Sequence, residues 1–176
     1  MTTKITVNRA PVLTLWASVV AERLGFERPT ALTLGKAVAG LNAQAKGRRL
    51  GIFQPRSEAR GAPAKKSGLG EEFWIEICGR PVPAKKTPGG VRAVVKDEPI
   101  DPDSVEGYLD RAFGEDLAAV RAAMERLARS FKPEHLAVEA FPLYEKFRPA
   151  VARGQAGWGQ KGTLDLERIL ELRPER

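Results

Sequence analysis

Residues 8–41 read NRAPVLTLWASVVAERLGFERPTALTLGKAVAGL, and two helices are spelled out in them. Val12, Leu15, Trp16, Val19, Val20 and Leu24 fall at i, i+3, i+4, i+7, i+8 and i+12, the repeat of one helix face. Asn8 stands where an N-cap belongs, Pro11 falls in the first turn, where a missing N–H costs little, and Gly25 is a natural stop. Pro29 opens the second helix, with Ala31, Leu34, Val38 and Leu41 on one face. Gly35 and Gly40 lower its intrinsic helicity, and two small residues there predict close helix packing.

Downstream, residues 54–72 have no hydrophobic period and almost no large apolar side chain, which predicts a long mobile loop. Phe73 to Cys78 is strand-like, residues 79–83 turn the chain, Thr87-Pro88-Gly89-Gly90 turns it again, and Val91 to Val95 is a second β-prone run. Asp101-Pro102 is an N-cap and N1 pair for a helix through Val105, Tyr108, Leu109 and Ala112 that stops at Gly114. Asp116 caps the next, whose apolar face is Leu117, Val120, Met124, Leu127 and Phe131. Pro133 starts a further helix that Pro142 must kink or end, and Leu166, Ile169 and Leu170 give a last short one. The expected fold is α+β, a mainly helical single domain over 1–176 with a small antiparallel β-hairpin sheet. Its parts are an N-terminal helical pair (1–53), the mobile basic loop (54–72), the hairpin (73–96) and C-terminal helices (97–176).

The chain has 176 residues, 43% of them hydrophobic and 29% charged, which is globular composition and enough to bury a core. One Cys, Cys78, cannot close an intramolecular disulfide, and with a single His, His135, there is no His/Cys cluster for a structural zinc or a haem. A Gly-x-x-x-x-Gly-Lys-Ser/Thr phosphate loop is missing too. No cofactor and no metal is expected, and no catalytic motif is present. The N-terminus lacks a signal-peptide core, and no run approaches the ~18 apolar residues of a membrane span, so a cytoplasmic chain without membrane contact is expected.

The net charge of +7 is unevenly laid out. Residues 43–96 hold twelve Lys/Arg against four acids, whereas residues 97–176 hold twelve against sixteen. The basic block contains Lys46, Arg48, Arg49, Arg56, Arg60, Lys65, Lys66, Lys85 and Lys86, often paired and set among Gly, Pro and Ala. Such density attracts polyanions through counterion release, nucleic acid first. The competing reading is a solvated surface.

Residues 16–41 resemble a helix-turn-helix. That motif wants a small residue at the helix crossing, Gly four residues later, an apolar residue next, and a small polar residue near the second helix start; Ala21, Gly25, Phe26 and Thr30 fill these places. The resemblance implies that Thr30, Thr33 and Lys36 face bases in the major groove. The second helix departs from the pattern in being rich in Ala, Leu and Gly with a single Lys, where a recognition helix shows Arg, Gln or Asn to base edges. If it does not read bases, the hairpin is packed in the core and the basic loop meets phosphates alone. The hairpin at 73–95, with Lys85-Lys86 by its turn, has the composition of a basic wing. More broadly, Asn8 to Phe53, Gly79 to Asp101 and Tyr144 to Asp165 resemble a bacterial protein family of unassigned function, which carries no catalytic residue over.

Trp158 lies between glycines with Lys161 three residues on, an arrangement for a base platform or for a packed anchor. The resulting expectation is a nucleic-acid partner, duplex DNA before RNA. The alternative is a protein-interaction module in which the basic block and the acidic stretch 97–116 meet, within a homodimer or across a partner. An enzyme would need a concave site around Trp158, Lys161 or His135.

Overall fold

The computed structural model describes residues 4–49, 73–78, 80–95, 98–149 and 161–174, without the side chains of residues 42–49, 80 and 161. In chain order the elements are β1 (Lys4–Asn8), α1 (Arg9–Arg23), α2 (Arg28–Arg49), β2 (Phe73–Ile77), β3 (Arg80–Thr87), β4 (Gly90–Val95), β5 (Glu98–Pro99), α3 (Pro102–Phe113), a single 3-10 turn (Gly114–Asp116), α4 (Leu117–Arg129), α5 (Pro133–Phe147), β6 (Lys161–Asp165) and α6 (Leu166–Glu171). The fold is mixed α+β and mainly helical, as the sequence predicts. It carries two small antiparallel sheets where one hairpin sheet was expected: β2-β3-β4-β5, and β1 paired with β6. The expected mobile loop lies outside the described residues.

Helix α1 is the axis of the core. Every residue from Pro11 to Ala21 is buried, including Thr14 and Ser18 on the side away from the apolar stripe. The stripe predicts one buried face; the helix is enclosed all round because α2, α3, α4 and α5 each pack against it. Thr14 satisfies its hydroxyl by donating to the Ala10 carbonyl at 2.9 Å. Ser18 Oγ is buried with no hydrogen-bond partner among the described residues. A buried hydroxyl without a partner costs about 1–3 kcal/mol, so Ser18→Ala is expected to leave stability unchanged or raise it. Urea unfolding checks this, and a loss above about 1 kcal/mol would mean that the hydroxyl is satisfied in the native state.

The α1–α2 turn closes as a Schellman motif. Phe26 N–H reaches the Ala21 carbonyl at 3.0 Å and Gly25 N–H reaches that of Glu22 at 3.0 Å. Gly25 has φ +112°, a conformation open to glycine, so the predicted stop is placed correctly. The two helices then touch at Gly35, where an added Cβ would stand 2.2 Å from the Thr14 carbonyl oxygen. Gly40, by contrast, has nothing among the described residues within 4 Å of that position.

Asn8 ends β1 and its side chain makes no cap bond, contrary to its expected role. Asp101 does cap, accepting from Asp103 N–H at 3.1 Å. Pro142 neither ends α5 nor divides it, since the helix runs through to Phe147. Most of the stretch read as a turn at 79–83 is strand instead, because β3 begins at Arg80 and pairs Val82 with Ile75 and Pro83 with Trp74. Pairing of β3 with β4 spans Ala84 to Thr87 and stops at Pro83, which has no N–H to extend it.

Candidate nucleic-acid interface

Thr30 and Thr33, expected to face bases, are core residues at 5% and 0% exposure. Thr30 Oγ1 donates to the Val91 carbonyl at 2.8 Å. Thr33 Oγ1 donates to the Thr30 carbonyl at 2.8 Å and accepts from Ala93 N–H at 3.0 Å. The Ala93 carbonyl already takes the Ile100 N–H. Its N–H lies past the end of two-residue β5, so α2 supplies the acceptor that the sheet lacks. The face of α2 assigned to a DNA groove is therefore the face that holds β4, and Thr30 and Thr33 are withdrawn from base contact.

Lys36 is exposed, with its ammonium 4.4 Å from the centroid of the Tyr108 ring. That cation–π contact ties α2 to α3 while leaving the charge on the surface. Lys46, Arg48 and Arg49 sit on the last turns of α2, beyond the part clasped by the sheet. Lys85 is 1% exposed within β3, which removes it from the expected wing tip. Lys86 next to it is exposed, although it falls on the strand face of buried Val82 and Ala84. Between Thr87 and Gly90 the tip is Pro88-Gly89, and the Arg92 guanidinium folds back on it, donating to the Val91 and Gly89 carbonyls at 2.9 and 3.0 Å. Arg56, Arg60, Lys65, Lys66 and Trp158 fall outside the described residues; Lys161 opens β6 opposite Asn8.

Sequence reading overlooked Trp74, which is 57% exposed on β2. The alternation of Phe73, Ile75 and Ile77 with Trp74 and Glu76 would have found it, because those two must share the outward face. A second overlooked group is ionic. Glu22 accepts from Arg28 Nε at 3.4 Å and from Arg121, and Arg121 in turn lies 3.2 Å from Glu125. Arg23 caps α4 by donating to the Phe131 carbonyl at 2.8 Å and the Ala128 carbonyl at 3.4 Å. These contacts bind the helical hairpin to α4, while Gly25, Glu27 and Arg28 of its turn stay exposed.

Cys78 occupies the β2–β3 turn at φ +52° and is buried. Burial pushes its thiol up to about 12, so it stays protonated at neutral pH and is a poor nucleophile. Burial likewise raises the Tyr144 phenol, which packs edge-on to Phe147 in the core instead of stacking on a ligand. His135 is exposed in the first turn of α5. Among the described residues no group of three His, Cys, Asp or Glu is placed to hold a metal ion, and no helix is long and apolar enough to cross a membrane. No family model, curated protein or solved structure matches the chain, so the site rests on its own geometry.

Proposed function

We propose that the protein binds nucleic acid, duplex DNA first, through phosphate contacts and without base reading by α2. The observation that carries this reading is the division of labour along α2. Its sheet-facing threonines are consumed in the core, while its last turns bring Lys46, Arg48 and Arg49 to the head of a block with twelve cations against four acids. Lys86, exposed on β3, belongs to the same block. A surface of this kind gains affinity by releasing counterions and is indifferent to sequence.

The test is fluorescence anisotropy of a labelled random duplex over a salt series, comparing wild type with Lys65→Ala/Lys66→Ala/Lys86→Ala; buried Lys85 is left in place. Each phosphate contact contributes about 0.9 to the log–log salt slope, so the variant is expected to lose roughly 2–3 from it. Absent or salt-insensitive binding of wild type overturns the reading.

A second reading has its own observation. Asp103, Glu106 and Asp110 are exposed on α3, and none makes an ion pair among the described residues. An acidic face opposite a basic block suits an interaction module. Self-association that dissolves in high salt by sedimentation, with no response to DNA, would favour it.

A further inference from the structure

We propose that the depression between the C-terminal end of α4 and the segment following α6 is a second phosphate-contact surface for duplex DNA. The inference rests on the phosphate-binding reading above and extends it to a part of the chain whose composition points the other way. Residues 97–176 carry sixteen acids against twelve cations, yet the fold gathers Arg126, Arg129 and Arg173 around one concavity of about 1250 Å³. Ser130, Leu170 and Glu171 complete most of its lining.

Each guanidinium has donors to spare. The Arg126 side chain is exposed and makes no hydrogen bond or ion pair among the described residues. Arg129 is 63% exposed, and its one ionic neighbour among the described residues, Glu125, stands 3.7 Å away. Arg173 donates Nε to the Leu170 carbonyl at 3.0 Å, which orients the fork and leaves the terminal nitrogens available. The acid in the lining, Glu171, is 3.7 Å from Arg168 and so is partly neutralised.

A helix C-terminus is electronegative and would by itself repel phosphate and hold cations. Here the end of α4 is already served, the Ser130 N–H by reaching the Arg126 and Leu127 carbonyls and Arg23 by donating to Ala128 and to Phe131 just beyond the helix. The other three arginines are therefore in excess of what the helix end requires. Their planar forks suit phosphate oxygens. The concavity is broader than a small-molecule pocket of roughly 300–1,000 Å³. A duplex, with one negative charge per about 1.7 Å of its axis, offers several phosphates to such a surface at once.

The experiment is the same duplex salt series on the full chain, with Arg126→Ala/Arg129→Ala/Arg173→Ala and, separately, Arg126→Gln. The triple variant is expected to bind at least about tenfold more weakly at low salt, with a slope shallower by roughly 2–3. Arg126→Gln changes an exposed side chain that makes no hydrogen bond or ion pair among the described residues, so the fold is expected to hold while about 0.9 of slope is lost. If wild type and the Lys65/Lys66/Lys86 variant behave as phosphate binding requires but both arginine variants keep the full slope, this surface is refuted and the basic block stands alone. If wild type does not bind duplex at all, the underlying reading falls and this inference with it.

Discussion

Gly35→Ala is expected to destabilise the protein by about 1–3 kcal/mol, while Gly40→Ala in the same helix is expected to stabilise it by about 0.5–1 kcal/mol. Both substitutions reduce backbone freedom in the unfolded chain and raise helix propensity by the same amount. They differ in what the new methyl meets. At Gly35 it stands 2.2 Å from the Thr14 carbonyl oxygen and 3.0 Å from Ser18 N, both backbone atoms that no rotamer change can remove. Helices α1 and α2 would have to move apart, and α1 is buried throughout from Pro11 to Ala21, so that shift disturbs packing on every side. At Gly40 nothing among the described residues lies within 4 Å. Urea denaturation of the two variants beside wild type measures the difference, and an equal gain from both would mean that the crossing is looser than described.

Close packing of the hairpin was legible because glycine weakens a helix interior and suits it best where two backbones must approach, although the sequence alone does not tell Gly35, which is in contact, from Gly40, which is not. Other local features were equally open to reading. The period of α1 and α4, the stop at Gly25 and the Asp101 cap all depend on neighbours within a turn or two. What failed to show depends on distant partners. Lys4–Asn8 alternates well enough for a strand, but its mate is Lys161–Asp165, a short run with Gly162 in it, at the other end of the chain. Thr30 and Thr33 read as polar and surface-facing until β4 is known to need their oxygens. The pattern Ala21, Gly25, Phe26, Thr30 records a tight helical hairpin, and a hairpin of that shape can be buried as readily as it can enter a groove. Lys85 and Lys86 look alike in sequence, yet one is enclosed in β3 and the other exposed, and strand alternation would have reversed them, because Lys86 falls on the face of buried Val82 and Ala84. Charge counting missed the arginine-lined depression for a related reason: Arg126, Arg129 and Arg173 come together through the packing of α4 against α6 inside a segment that is acidic overall.

Trp16→Ala is expected to cost about 3–5 kcal/mol, the range for truncating a large core aromatic, and Trp16→Phe distinctly less. Trp16 is fully buried at the middle of α1. Its indole N–H donates to the Ala140 carbonyl at 2.8 Å, and its ring meets Phe147 edge to face with centroids 5.3 Å apart. One side chain thus grips α5 on both sides of Pro142, the residue that deprives that helix of a backbone N–H. Phenylalanine keeps the aromatic contact and forfeits the donor and part of the volume; alanine forfeits everything. The lost hydrogen bond alone is worth about 1 kcal/mol, because the Ala140 carbonyl lies in a helix, where the N–H four residues on can also serve it. The gap between the two variants in urea or thermal unfolding therefore measures ring packing against Phe147 and the cavity left behind. Equal losses would assign the anchoring of α5 to the hydrogen bond, and losses below about 1 kcal/mol for both would mean that α5 is held to α1 by its other contacts, the Tyr144 hydroxyl on the Arg9 carbonyl among them.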